Sequence, residues 1–447
     1  MKMTAESPHS QLKWPGRDAI IDIVWDYLLK RRWFPSHLER SQVRVLDYRE
    51  LEDPNFRLLI LEAQGIWYHL PLALVADWSG DGIAGRTSCP PENPGYLVDG
   101  PYCPAYVRHW IRSTHQAGTL PLLPEADDLL ANLLDASLDS KILSGEQSNT
   151  SVLLGGKYPT IIKFFRVLVT GANPEVTVPL ALARTGWQGV PQPRGYSQLS
   201  LWDQDGQPQQ VTTASAAIRL DAAQDGFKLI CSLAGSGEDP TKLARQLGAF
   251  TADMHRHLLE AFGEGEDPAS GTMLASRLRN QYQRAETAYP QLREHPQIGE
   301  EVARLAQALT GLGGLPPTQR VHGDYHLGQC LYSSDSWYAI DFEGEPLRPL
   351  EERTAPDQVE RDIAGMLRSF DYARVEGGAD GDWLNRARLA FLAGYFGEEQ
   401  LPGPALVVLR AFEVEKALYE VRYEAEQRPD WVSIPLKALL LLLPQSV

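Results

Sequence analysis

"VHGDYHLGQCLYSSDSWYAIDFEGEPLRP", residues 321–349, holds two acidic clusters on either side of an apolar and aromatic run. Asp324 follows His322 and Gly323, and seventeen positions later Asp341 and Glu343 close what reads as the second strand of a hairpin. Carboxylates held near one another repel unless a cation neutralises them. The pattern therefore points to a metal ion and raises the question of what that ion holds.

Phosphoryl transfer asks for such a set. It needs one carboxylate beside an acceptor hydroxyl, and oxygen ligands that fix Mg²⁺ on nucleotide phosphates. Asp324 suits the first role. Gln329, five residues on, offers an amide oxygen, and Asp341 offers a carboxylate after the hairpin, both hard donors of the kind Mg²⁺ takes. The competing reading makes Asp324 a turn residue capping a helix and Asp341 a strand-end turn. Two aspartates at this separation, after a glycine-preceded loop, favour the site. His322 reads as a buried orienting residue, and His326 is uncommitted.

Outward from that stretch, the 447 residues allow two or three domains with real cores. A net charge of −16 argues against a nucleic-acid partner, since phosphate backbones are held by Lys and Arg. Cys89, Cys103, Cys231 and Cys330 show no zinc spacing and no disulfide pattern, so a reducing cytoplasm is expected. The opening "MKMTAESPHSQLKWPG" lacks an apolar secretory core, and the C-terminal "ALLLLLPQSV" is too short to span a bilayer. No membrane partner is expected.

Residues 17–33 place Ile20, Ile23, Val24, Tyr27 and Leu28 at helical spacing, followed by three strand-like runs, "QVRVLDYREL", "FRLLILEAQ" and "IWYHLPLALV". The Gly/Pro-rich "DWSGDGIAGRTSCPPENPG" is the best boundary candidate near residue 88. Further strands and a polar loop follow, and from residue 236 helical patterns dominate. The expected architecture is α+β in three parts: residues 1–88, a β-rich part 89–230, and a mostly helical part 231–447. "FKLICSLAG" (227–235) reads as a hinge between sheet-rich and helical halves.

Within the sheet-rich half, "SGEQSNTS" (144–151) is a polar loop whose backbone N–H groups and side chains can face phosphate oxygens. Gln147, Ser148, Asn149, Thr150 and Ser151 are its candidates, although a plain polar hairpin has the same composition. Lys163 is a cation inside the apolar "IIKFF", so it must meet an anion, either a protein carboxylate or a nucleotide phosphate. After Asp341, the charge-dense loop with Glu345 and Arg353 either lines an acceptor pocket or locks the loop by ion pairs. On the helix "FEVEKALYEVRYEAEQR", Lys416, Glu420 and Tyr423 share one face, as do Glu415 and Tyr419. They form either a carbohydrate-contacting surface or an i,i+4 ion pair among core tyrosines.

The segments "GEQSNTS", "NPEV", "HGDYHLGQ", "DFEGEPLRPLEER", "RDIAGMLRSFDYA" and "KALYEVRYEAEQRPDW" resemble the bacterial maltokinases, within the aminoglycoside-phosphotransferase-like group of kinases. The match runs in order over about residues 140–440, and the DFEGEP run with MLRSFDYA carries its specificity. The resemblance implies a bilobal protein-kinase-like fold: an N-terminal cystatin-like cap, an intermediate subdomain, and a helical C-lobe. It implies ATP- and Mg²⁺-dependent phosphorylation of maltose to maltose 1-phosphate for α-glucan synthesis. Asp324 corresponds to the catalytic aspartate, Gln329 and Asp341 to the metal ligands, and Lys163 to the phosphate-binding lysine. ATP is expected near the hinge. His326, Glu343, Glu345, Arg353, Lys416, Tyr419, Glu420 and Tyr423 are the expected acceptor contacts. A monomer is expected, with association with a trehalose-converting enzyme as an open alternative. Two departures stand out. The family's lysine-pairing glutamate falls at Thr177, with Glu175 two residues earlier, and "RRWFPSHLERSQ" lacks the usual glycine and lysine after RWF. A kinase of another sugar, such as glucosamine, is the alternative reading, since the related aminosugar kinases share most of the catalytic loop; a catalytically degenerate nucleotide-binding module is a further one.

Overall fold

The apolar stripe near the N-terminus forms helix Ile20–Leu28, which buries Ile20, Ile21, Val24, Tyr27 and Leu28. It packs with Leu59, Leu61, Tyr68 and Leu70 of an antiparallel meander. This computed structural model describes residues 12–87, 95–143, 148–203, 206–265, 270–312, 314–345, 350–397 and 403–443. The chain divides into two compact units: Met1–Leu180 with Gln192–Leu220, and Ala181–Pro191 with Asp221–Val447.

The first unit holds two antiparallel sheets. In the first, the expected strands appear as Arg44–Glu50, Phe56–Ala63 and Ile66–Val75. The turn at Gln64 and Gly65 has positive φ at both residues, 53° and 81°, the geometry of a tight two-residue hairpin. The Gly/Pro-rich stretch after residue 76 carries strand Ile83–Arg86, paired with Tyr96–Asp99 in the same sheet. The sheet therefore continues through that stretch. The second sheet contains Pro193–Trp202, Pro208–Ile218, Thr160–Phe165, Asn149–Leu154 and Lys141–Ile142, in that spatial order. Helix Pro104–Gln116 lays Tyr106, Val107, Trp110 and Ile111 against Val152, Ile162 and Phe164 of this sheet.

The second unit is mostly helical around a three-stranded sheet, Gln224–Asp225, Cys330–Ser333 and Ser336–Ala339. Residues 227–235, read above as a hinge, lie inside helix Gly226–Ser236, capped by the Asp225 carboxylate on the Lys228 N–H. Helices Thr241–Phe262 and Gly381–Phe396 pack backbone to backbone at Gly248 and Gly394, where an added Cβ would collide with the partner's carbonyl oxygen. Helix Glu360–Gly377 is the most deeply buried, and Asp362 and Arg368 lie inside the fold with its apolar side chains. Among the described residues no helix is long and apolar enough to cross a membrane.

Candidate phosphotransfer site

In the second unit the loop carrying Asp324 is tied down before it reaches that residue. The Asp362 carboxylate accepts the backbone N–H of His322 at 2.7 Å and of Gly323 at 2.9 Å, and faces His255 Nε2 at 3.0 Å. Asp362 is fully buried, and burial alone would raise its pKa. His255, His322 and the Gly323 amide outweigh that and hold it below the ordinary carboxylate value. Gly323 has φ +88°, a left-handed turn that L-residues adopt with strain, so the pivot before Asp324 requires glycine.

His322 is the buried orienting residue expected. Its Nε2 lies 2.9 Å from the Ile340 carbonyl, and its ring packs 4.6 Å from that of Phe342. The histidine thus links the loop of Asp324 to the residues on either side of Asp341. The Ile340 N–H also donates to the Gln329 carbonyl at 3.0 Å, and the Gln329 amide reaches the Asp341 carboxylate at 3.2 Å. The two expected metal ligands are therefore together. Gln329 Nε2 is the atom that donates to Asp341 here, and the Gln329 amide oxygen and the Asp341 carboxylate, with Asp341 at φ +65° beyond the strand end, are the oxygen donor types that Mg²⁺ takes.

Asp324 does not stand alone. Lys416 Nζ lies 3.1 Å from Asp324 Oδ1 and 2.7 Å from Glu345 Oε1. Burial opposes a charge on Lys416, but Glu345 and Asp324 outweigh it and hold its pKa well above the ordinary lysine value. Behind Glu345 the charges continue. Arg361 lies 3.7 Å from Glu345, 2.5 Å from Asp357 and 3.7 Å from Glu415, and Arg277 bonds Asp357 at 2.9 Å and Glu415 at 3.1 Å. Arg277 and Arg361 together overcome the burial of Asp357 and lower its pKa. Within the charged stretch after Asp341, Glu345 is held by ion pairs to Lys416 and Arg361, and residues 346–349 lie outside the described residues. Arg353 of the same stretch donates to the Glu343 carbonyl at 3.4 Å.

The acceptor candidates separate by face. Lys416, Tyr419, Glu345, Arg361 and Glu415 line one small pocket. Glu415 and Tyr419 also border a cavity of about 990 Å³ with Arg277, Asn280 and Arg422. The Tyr419 and Tyr423 rings are near-parallel, 6.4 Å apart. Glu420 follows Lys416 at i,i+4 and feels its charge, but its carboxylate is engaged by Arg368, whose Nε and one terminal nitrogen reach Oε2 at 3.0 and 2.6 Å while the other meets Asp371. One residue along a helix turns the side chain by about 100°, which separates Tyr419 from Glu420. His326 lies 4.0 Å from Asp324, and its Nδ1 accepts the Gly328 N–H at 3.1 Å.

The first unit carries the nucleotide-side candidates. Lys163 sits opposite Ser151 in the strand register and bonds Glu175 at 2.7 Å. Helix Pro174–Arg184 starts where the Asn173 side chain accepts the Glu175 N–H at 2.9 Å, so Glu175 occupies the first turn. Glu175 thereby supplies the carboxylate missing at Thr177, whose hydroxyl donates to the Asn173 carbonyl instead. Gln147 lies outside the described residues, and Ser148 is exposed. The side chains of the next residues turn inward. Thr150 Oγ1 accepts from Arg166 Nε at 2.9 Å, Asn149 Oδ1 accepts the Arg166 N–H at 3.3 Å, and Ser151 is fully buried. Alternation along a strand sends neighbouring side chains to opposite faces, so Ser151 shares the face of its register partner Lys163 while Thr150 meets Arg166.

Sequence reasoning missed Asp362, Arg361, Asp357 and Arg166. Asp362 had a signal: with Met366 and Phe370 at steps of four it falls on the buried stripe of its helix. Arg361 and Asp357 stand at i,i+4 spacing. Arg166 ends the same apolar run that drew attention to Lys163.

The sequence profile of a phosphotransferase enzyme family matches residues 139–404. A glucosamine kinase of Streptacidiphilus jiangxiensis is 29% identical over 340 residues, covering 68% of this chain and 73% of its own. One from Mycolicibacterium smegmatis is 26% identical over 325 residues, covering 67% and 79%. The solved structure of a glucosamine kinase in complex with glucosamine, ADP and inorganic phosphate has a TM-score of 0.65 at 21% identity, covering 94% of this chain and 99% of that one. The fold is accordingly the mixed α+β, protein-kinase-like one, with sheets toward the N-terminus and helices toward the C-terminus.

Proposed function

Because the chain belongs to the phosphotransferase enzyme family, we propose that it transfers the terminal phosphoryl group of ATP to the anomeric hydroxyl of a neutral sugar, maltose. Asp324 orients that hydroxyl and takes its proton. Lys163, steadied by Glu175, meets nucleotide phosphates, with Ser148 and the backbone of residues 148–151 as further donors. Gln329 and Asp341 would hold Mg²⁺, which when bound neutralises phosphate charge. Glu345, Lys416, Tyr419, His326, Glu343 and Arg353 shape the acceptor side, while Glu420 and Tyr423 support the helix that presents Lys416.

The observation that carries the choice of sugar is the Lys416 ammonium, seated against both Asp324 and Glu345. An acceptor bearing its own ammonium would bring a like charge beside it. At about 4 Å and an effective dielectric near 20, such a pair repels by roughly 4 kcal/mol. A neutral sugar meets instead a ready hydrogen-bond donor. The cavity of about 990 Å³ that shares Tyr419 supports a two-ring acceptor, with the aromatic face available to a pyranose ring.

A second reading, phosphorylation of glucosamine, is favoured by the names of both curated relatives. A sugar panel assayed with Mg²⁺ and ATP by coupled ADP release separates the two. Maltose should give the highest kcat/KM and a phosphorus NMR signal of an anomeric phosphate. A preference for glucosamine would replace the maltose reading.

A further inference from the structure

A cavity of about 480 Å³ lies in the first unit, bordered by strand Ile66–Val75, helix Pro104–Gln116 and the second sheet. Two of the groups that line it are buried and lack a hydrogen-bond partner. His69 is 1% exposed, and its Nδ1 lies 2.8 Å from the Phe165 carbonyl, which can only accept. Nδ1 therefore carries the proton. Burial and the neighbouring Arg166 lower the pKa of the ring to about 3, so the ring is neutral and Nε2 keeps a free lone pair. That Nε2 has no partner, and neither does the Thr114 hydroxyl, which is 3% exposed. Leaving a buried polar atom unsatisfied costs about 1–3 kcal/mol, and two of them line a single cavity.

The rest of the lining narrows what would satisfy them. Ser197 and Thr213 bring a hydroxyl pair 2.8 Å apart, with Trp110 Nε1 donating to Ser197 at 2.8 Å. Tyr106, Trp110 and Phe164 add an aromatic wall, with centroids 5.8 to 6.0 Å from the Phe164 ring. No lysine or arginine lines the cavity, so it offers nothing to a phosphate. Glu52, which is exposed, and His109 also line it; the remaining acceptors and donors are neutral and lie beside aromatic faces, the chemistry that binds uncharged, hydroxyl-rich molecules.

We propose that this cavity is a second carbohydrate site. It takes a neutral sugar of one or two rings, with one sugar hydroxyl donating to His69 Nε2 and another accepting from the Thr114 hydroxyl. Asp324 belongs to the other unit, and none of the residues that line the cavity is a candidate of the transfer site. Sugar binding there does not depend on which sugar is phosphorylated.

Hydrogen–deuterium exchange on the full chain tests it, with glucose, maltose and trehalose each at about 10 mM, a concentration that fills sites of millimolar affinity. Exchange should slow in peptides covering residues 106–119 and 196–213, independently of any change around Lys416. Thr114→Val keeps the side-chain shape and should weaken that protection about five- to ten-fold in sugar concentration. Ala117→Trp, at the exposed rim, should abolish it while kcat for the transfer reaction and near-UV circular dichroism report an intact fold. No slowing with any of the three sugars overturns the proposal, leaving the cavity to ordered water. So does protection that survives both variants, or protection by inorganic phosphate in place of sugar.

Discussion

Arg166 in the first unit and Lys416 in the second are both cations drawn inside the protein by carboxylates, yet they are held in different ways. Arg166 is closed off. Its guanidinium grips both oxygens of Asp99 at 3.0 and 2.6 Å, Tyr27 donates to the same carboxylate at 2.7 Å, and both charged side chains are at most 1% exposed. Lys416 is open. It touches one oxygen of Asp324 and one of Glu345, and Lys416 and Asp324 remain 16% and 17% exposed. A planar fork matched to a carboxylate is a fixed joint, whereas a point charge on a flexible stem can trade one oxygen for another. The difference separates a charge that builds the fold from one that is available to a substrate.

The sharpest way to break this comparison is at Asp324. Asp324→Asn should lower kcat by about 10²- to 10⁴-fold while leaving nucleotide affinity and urea stability close to wild type. Near-normal turnover in the ADP-release assay would remove Asp324 from the reaction. The fixed joint predicts the reverse pattern. Asp99→Ala leaves Arg166 buried without its anion and should cost about 3–5 kcal/mol in urea unfolding. A loss below about 1 kcal/mol, typical of an exposed pair, would erase the distinction between the two cations.

Smaller effects sharpen it. Lys416→Met should raise KM for maltose about tenfold, a change of about 1.4 kcal/mol, with a relative gain for glucosamine. Because the pKa of Lys416 is raised, its stabilising charge is fully present below the ordinary lysine value of about 10.4 and is lost only as pH rises through the higher folded value. The difference in KM between wild type and Lys416→Met should therefore stay constant from pH 6 to about 10; a difference that vanishes near pH 8 would contradict that charge state. The least effect is expected at the first unit's helix start. Glu175→Gln should raise KM for ATP about fivefold, and Thr177→Ala should change stability by less than about 0.5 kcal/mol. Equal effects of the two would mean that Glu175 has not taken over the pairing of Lys163.

Much of this was readable before any coordinates. The helix and three strands of residues 20–75, the hairpin at 330–339 and the helical second half follow from periodicity, which depends only on neighbours along the chain. Asp324, Gln329 and Asp341 stand out as candidates for a similar reason: they lie within one short stretch, whose hairpin brings Gln329 to Asp341 at 3.2 Å. Phe227–Gly235 reads as a hinge from its place between the two halves, and the structure puts it inside helix Gly226–Ser236. Thr150 and Ser151 read as phosphate contacts on composition; in the strand Thr150 meets Arg166, while Ser151 sits opposite Lys163.

The amino-acid order alone therefore set most of the elements and their sequence along the chain, and marked Gln329 and Asp341 as candidate oxygen donors, all properties of local spacing. Folding chose the partners of each charge. Lys416 meets Asp324 across 92 positions, Asp362 reaches back 40 to hold the loop, and Asp99 finds Arg166 across 67. A buried charge takes whichever opposite charge the packing brings within reach, and no rule of spacing along the chain encodes that choice.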